Sequence, residues 1–194
     1  MKTQELTEQE SLQIITTMID KAKGKVGEDS IFYLLWGWSV LIGSVLHFLL
    51  MNIQYDKPWI PWAILMPATS IAAGIIGSRR AKKKSTRGYI DRLMGYLWGA
   101  FVVTLLIVLA SSPFIGWMKA YSLMISLYGL ATFVSGGVLQ FRPLIIGGIS
   151  AWVISVVSFF LPEQWVVLAV GLSMITSYLI PGYLLKKAHR EKKA

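Results

Sequence analysis

The chain is dominated by long apolar segments, and the one formally charged side chain within them, Lys119, lies at the edge of its segment. A helix needs about 20 apolar residues to cross a hydrocarbon core of about 30 Å. A lysine or aspartate at the centre of such a helix costs about 2.5–3.5 kcal/mol on insertion scales. We therefore predict an all-α polytopic membrane protein, a bundle of six transmembrane helices spanning 31–185. The predicted spans are 31–51, 59–78, 93–111, 118–139, 144–161 and 164–185.

Composition agrees with a membrane protein and narrows the chemistry. Hydrophobic residues make up 55% of the chain and charged residues 15%, whereas soluble domains carry about 25% charged residues. The sequence has no cysteine, which excludes disulfides, thiolate metal sites and cysteine nucleophiles. We expect neither a metal nor another cofactor.

Lysine and arginine are distributed very unevenly between alternate loops. Of the 19 such residues, all but Lys57 and Lys119 lie in the N-terminal segment, the 2–3 loop, the 4–5 loop or the basic tail 186–194. Because cytoplasmic loops hold the excess of positive charge, we predict a multi-pass inner-membrane protein with both termini in the cytoplasm. Tryptophans near the opposite ends of the spans predict an aromatic belt: Trp59, Trp62, Trp117 and Trp165.

The stretch SRRAKKKSTR (78–87) carries most of the cations in the loop between spans 2 and 3. It first indicates orientation, and cations near headgroups also attract anionic lipid. Nucleic-acid binding is not expected, because the loop is short and has few aromatic residues. The residues predicted to contact anionic lipid headgroups are Arg79, Arg80, Lys82, Lys83, Lys84 and Arg87.

The N-terminal segment 1–30 is predicted to hold a short cytoplasmic amphipathic helix over 7–23. Thr7 and Glu10 have the spacing of a capping box, Gly24 is a natural stop, and VGEDS (26–30) reads as a linker. One apolar stripe recurs at helical spacing: Leu12, Ile15, Ile19 and Ala22. This stripe would be buried in the membrane interface, on the chain's own spans, or against a protein partner or a second copy.

His47 is the one histidine inside a predicted span. One interpretation is a neutral, hydrogen-bonded histidine at the interface. The other is an outward-facing ligand pocket formed by His47, Asn52 and Gln54, with Asp56 or Glu163 at its rim. No enzyme is predicted, because Ser135 falls about 25 Å below the outer surface near which His47 lies. His189 falls on the opposite side of the membrane, so the two histidines predict no zinc site.

Small residues at four-residue spacing permit close helix approach. They occur in spans 2 and 3 as Ala73-x-x-x-Gly77, Ser70-x-x-x-Gly74 and Gly95-x-x-x-Gly99. We expect these motifs to pack within the chain rather than to form a dimer. Prolines inside spans 2 and 6, Pro67 and Pro181, predict kinks.

The capped segment LTEQESLQIITTMIDKAKG, followed by FYLLWGW, resembles a group of small bacterial inner-membrane proteins with no assigned activity. The resemblance covers the N-terminal segment and the first span. It implies a bacterial inner-membrane location and no mechanism.

Two functional hypotheses follow. The first is a non-catalytic interaction or regulatory protein that acts through its cytoplasmic helix and basic loops on a protein partner or anionic lipid. The alternative is a small-molecule-binding protein or uncoupled transporter with its pocket near His47.

Overall fold

The computed structural model describes residues 8–83 and 88–191, with side chains for 30–82, 88–188 and 190–191. Within these ranges the secondary structure is helical, joined by turns, as predicted. The elements are α1 (Glu8–Asn52), α2 (Ile60–Lys83), α3 (Tyr89–Ile115), α4 (Trp117–Val138), α5 (Arg142–Ser158), α6 (Glu163–Met174), a π turn (Ile175–Leu179) and α7 (Ile180–Glu191).

Helix α1 runs without interruption through the predicted linker. The helix stop predicted at Gly24 is wrong, because residues 24–30 are helical and join the first span. A glycine inside a helix costs about 1 kcal/mol relative to alanine, which is too little to end a helix that continues on both sides. The amphipathic segment and the first span are therefore one helix of 45 residues.

Five segments are long and apolar enough to cross a membrane: Ser30–Asn52, Ile60–Lys82, Tyr89–Ile115, Trp117–Val138 and Glu163–Ala188. The fifth predicted span is shorter in the structure. Helix α5 begins at Arg142, with a proline in its first turn, and ends at Ser158 after 17 residues. By the length and composition of its helices the chain is therefore a membrane protein, and its described residues hold five helices able to cross a membrane and one shorter apolar helix.

The last span lies at the centre of the bundle. Together α6, the π turn and α7 contact α1, α4 and α5, whereas α2 packs mainly on α1 and α3 mainly on α4. In the most apolar window of the last span 67% of the residues are buried, against 11% in both α2 and α3. Helices α2 and α3 are thus peripheral, with most of their surface facing outward.

The closest helix packing is between α4 and α5, where glycines allow the backbones to touch. A Cβ added to Gly148 would lie 2.7 Å from the carbonyl oxygen of Gly129. Beside this contact Ser155 Oγ donates to the Ser122 carbonyl at 2.8 Å, and Ser158 Oγ donates to Ser122 Oγ at 2.7 Å. Small residues and interhelical hydrogen bonds drive helix association in lipid, so both kinds of contact hold α5 on α4.

The small-residue motifs of spans 2 and 3 do not pack in this way. No heavy atom outside the local backbone lies within 4 Å of a Cβ built on Gly74, Gly77, Gly95 or Gly99. The expectation that these motifs pack within the chain is therefore wrong for their glycines, since α2 and α3 lie at the edge of the bundle.

Proline 181 accounts for the π turn that precedes it. Proline has no N–H to offer the carbonyl four residues before it, Ser177, and it clashes with that carbonyl in a regular α-helix. The Ile180 N–H instead reaches back to the carbonyl oxygen of Ile175, which widens the helix by one residue. Helix α2 continues through Pro67 as one helix, and the kinks at Pro67 and Pro181 stay predictions.

Candidate functional site

His47 lies inside the bundle near the C-terminal end of α1, and its side chain is 4% exposed. The Nε1–H of Trp62, on α2, donates to His47 Nδ1 at 2.7 Å. The Tyr121 hydroxyl, on α4, lies 3.3 Å from the same nitrogen. The imidazole therefore joins three helices: the consecutive α1 and α2, and α4, whose Tyr121 is 74 residues from His47.

The donor chemistry of tryptophan assigns the proton on this histidine. An indole N–H only donates, so Nδ1 of His47 is the acceptor and the proton of the neutral ring is on Nε2. The three rings also contact one another, with centroids 6.2 Å apart for His47 and Trp62, 5.9 Å for His47 and Tyr121, and 6.0 Å for Trp62 and Tyr121. This arrangement can orient the three side chains and dock α2 on α1 and α4.

The other four residues of the predicted outer pocket are exposed, whereas His47 is buried. They are Asn52, Gln54, Asp56 and Glu163, and Asn52 donates to the Phe48 carbonyl of its own helix at 2.9 Å. Within the described chain no hydrogen bond links His47 to any of the four. Their grouping with His47 into one pocket stays a prediction.

Helix α2 is attached to α1 at three levels along its length. At the start of α2 the contact is the Trp62–His47 bond. Further along α2, Thr69 Oγ1 donates a 2.7 Å hydrogen bond to Ser39 Oγ. At the other end the guanidinium of Arg80 lies 5.3 Å from the centroid of the Phe32 ring. These contacts fix the antiparallel register of the two helices.

The basic segment begins in the last turn of α2. Arg79 and Lys82 are exposed and Arg80 is half-buried against α1. Lys84 and Arg87 lie outside the described residues, as does the side chain of Lys83. The first residues of α3 add an exposed cation, Arg92, close to this segment in the chain.

The apolar stripe of the N-terminal segment is only partly described. Residues Leu12, Ile15, Ile19 and Ala22 are in α1, but their side chains lie outside the described ones. The sequence and the helical backbone place these four residues on one face of α1, and what covers that face is not described.

The structure also contains a buried aromatic cluster that we did not predict from the sequence. Tyr178, in the π turn, contacts the rings of Tyr33 and Tyr128 at centroid distances of 5.5 and 5.9 Å. Among the described residues no partner meets hydrogen-bond geometry for the buried hydroxyls of Tyr178 and of Ser135 on α4. Thr132 lies close to the Tyr178 hydroxyl; its Oγ1 donates to the Tyr128 carbonyl at 2.8 Å and keeps lone pairs that can accept. For Tyr128 and Tyr178 the signal in the sequence is their position within predicted spans, away from the interfaces that tyrosine favours.

Among the described residues no three histidine, cysteine, aspartate or glutamate side chains are grouped so that they could hold a metal ion. Comparison with known proteins gives no further identification: no family model, curated protein or solved structure matches the chain.

Proposed function

We propose that this chain is a six-span, non-catalytic interaction protein of the bacterial inner membrane. Its working surface is the cytoplasmic side, where the N-terminal helix and the basic segments lie. The observation that carries the proposal is the continuity of α1 from Glu8 to Asn52. Because no linker separates them, the N-terminal helix is positioned by the first span.

The length of this projection supports an interaction role. Residues 8–29 precede the apolar segment that begins at Ser30, and at 1.5 Å per residue they extend about 33 Å. The stripe Leu12, Ile15, Ile19 and Ala22 occupies this segment. An apolar stripe on a surface helix is normally buried against another element, and a partner helix or a second copy of the chain would bury it.

Six spans and a cytoplasmic location of both termini are part of the proposal. Helix α5 is followed by the apolar residues Phe159, Phe160 and Leu161, so the apolar segment is longer than the helix. Counting it as a span gives an even number of crossings. The N-terminal helix, the Arg79–Arg92 segment and α7 then lie on one side, as the charge distribution requires.

Site-specific photo-crosslinking in living cells tests the N-terminal helix directly. A photoreactive amino acid is placed at Ile15 or Ile19 of the full chain, and at Thr17 as the matched control. Thr17 lies about half a turn away from both positions. We expect Ile15 and Ile19, but not Thr17, to crosslink to one discrete protein or to a second copy, and Ile15→Asp combined with Ile19→Asp to abolish the adduct formed from position 12. Crosslinks confined to the same chain would show that the stripe packs internally and would contradict the proposal.

The alternative function is small-molecule binding or uncoupled transport through an outer pocket near His47. Trp62 and Tyr121 both lie against Nδ1 of His47, so a ligand that leaves these two contacts in place would have to reach the imidazole at Nε2. A ligand-induced thermal shift that is lost in His47→Ala would favour this alternative over the first proposal.

A further inference from the structure

Helices α2 and α3 each contact aromatic or histidine side chains of both α1 and α4. Trp62 of α2 contacts His47 on α1 and Tyr121 on α4. On α3, Trp98 contacts Tyr33 of α1 at 6.2 Å and Phe101 contacts Tyr128 of α4 at 5.5 Å. The two outer helices nevertheless share no extensive contact with each other. The apolar surface that they flank is called here the α2–α3 groove.

The backbone is accessible along both helices that flank this groove. Gly74 on α2 and Gly95 on α3 have no side chain, and a Cβ at either position would meet no heavy atom within 4 Å. In the most apolar 18-residue stretch of each helix, only 11% is buried. Such a surface fits flexible hydrocarbon chains, which pack against apolar helices in lipid by van der Waals contact.

Positive charge gathers at the end of the groove where α2 ends and α3 begins. Arg79 and Lys82 are exposed in the last turns of α2, and Arg92 is exposed in the first turn of α3. Six peptide steps join Lys83 to Tyr89, so these two helix ends are at most about 20 Å apart. The one described acid in the first turn of α3, Asp91, accepts a hydrogen bond from the Gly88 N–H at 3.1 Å.

We propose that an anionic phospholipid of the cytoplasmic leaflet binds in the α2–α3 groove. Its headgroup contacts Arg79, Lys82 and Arg92, and its acyl chains lie along α2 and α3. A second copy of the chain is a poorer occupant, because it would bring the same cations to the same place. The inference deepens the basic-side part of the proposed function and does not depend on what binds the N-terminal helix.

Lipid retention measured by native mass spectrometry tests the headgroup contact. The full chain is exchanged into detergent containing equal amounts of dioleoyl phosphatidylglycerol and dioleoyl phosphatidylcholine. We expect selective retention of phosphatidylglycerol, reduced about 20- to 30-fold in Arg79→Gln/Arg92→Gln, since each headgroup cation contributes about fivefold. The matched control, Lys186→Gln/Arg190→Gln, removes two exposed cations from α7 and should retain the lipid. An equal loss in the control would overturn a defined site in favour of diffuse attraction.

A second pair of variants tests the acyl chains independently. Gly95→Leu adds a bulky side chain to the exposed surface of α3 over which the acyl chains would lie, and Gly137→Leu adds the same side chain on α4; a Cβ at either glycine meets no heavy atom within 4 Å. We expect Gly95→Leu to lower phosphatidylglycerol retention several-fold and Gly137→Leu to leave it unchanged. Unchanged retention in Gly95→Leu, displacement by soluble glycerol phosphate as effective as by the lipid, or dimers in place of lipid adducts would each overturn the proposal. All of these readouts are separate from photo-crosslinking of the N-terminal helix, so failure of one proposal does not imply failure of the other.

Discussion

The indole nitrogen of Trp62 lies 2.7 Å from Nδ1 of His47, and this bond joins the start of α2 to the C-terminal end of α1. The Trp62 ring also lies against the backbone of α1, since a Cβ on Gly43 would be 2.8 Å from its Cζ3 atom. His47 therefore takes part in docking α2 against α1. A peripheral helix with few contacts depends strongly on each of them.

Replacing the donor of this bond should loosen α2. Trp62→Phe keeps an aromatic ring but leaves Nδ1 of His47 without its donor, which costs about 1–3 kcal/mol for a buried acceptor. We expect a lower midpoint of thermal unfolding in detergent. The control is Trp59→Phe, because Trp59 is 53% exposed and should change stability by less than about 0.5 kcal/mol. Equal effects of the two substitutions would argue against a docking role for the bond.

The sequence contained the information for the spans but not for this contact. Charge-free length predicts where the chain crosses a membrane, and the predicted segment 118–139 differs by one residue at each end from the helix Trp117–Val138. Trp62 was assigned to the aromatic belt with Trp59, yet Trp62 is half-buried and bonded to His47. Which of two neighbouring tryptophans faces a partner depends on the register between separate helices, and periodicity within one helix does not specify that register.

A second difference lies at Gly24, where local rules predicted a stop. Glycine ends a helix when the following residues leave the helical path, for which a left-handed conformation is the usual means. Here the residues after Gly24 continue the helix into the first span. Gly24 lowers the stability of the helix locally, but the residues on both sides of it remain helical.

The contact between Gly148 and Gly129 predicts a severe effect from one methyl group. Gly148→Ala would place a Cβ 2.7 Å from the Gly129 carbonyl oxygen and 2.7 Å from the Phe133 backbone nitrogen, so α4 and α5 must separate. Overpacking of this kind typically costs about 1–3 kcal/mol. Chemical or thermal unfolding in detergent measures the loss.

Gly137→Ala is the matched control for that experiment, because Gly137 is on α4 as well but has open space around it. It should be neutral or stabilise by about 0.4–1 kcal/mol, through the lower entropy of the unfolded chain. Destabilisation by Gly137→Ala as large as by Gly148→Ala would mean that α4 tolerates no added methyl group, and the interhelical contact would not be the cause.

Orientation can be tested directly because the chain has no cysteine. Single cysteines replace Lys57 and Glu163 on one predicted side, and Lys82 and Arg92 on the other. In intact cells a membrane-impermeant maleimide should label the first pair and should reach the second only after the membrane is permeabilised. Labelling of position 82 in intact cells would reverse the proposed orientation, and labelling of 57 but not 163 would contradict an even number of crossings between them.

The hydroxyl of Tyr178 should be dispensable for stability, unlike that of Tyr121. Tyr178 is 2% exposed, and no partner among the described residues meets hydrogen-bond geometry at its hydroxyl, so Tyr178→Phe removes a poorly satisfied buried polar group. An unsatisfied buried group costs about 1–3 kcal/mol, and we expect Tyr178→Phe to raise the unfolding midpoint. Tyr121→Phe removes the hydroxyl that lies 3.3 Å from His47 and should lower it. If Tyr178→Phe were instead the more destabilising of the two, the Tyr178 hydroxyl would have a bonding partner in the folded protein, and the π turn around it would be a polar site rather than a consequence of Pro181.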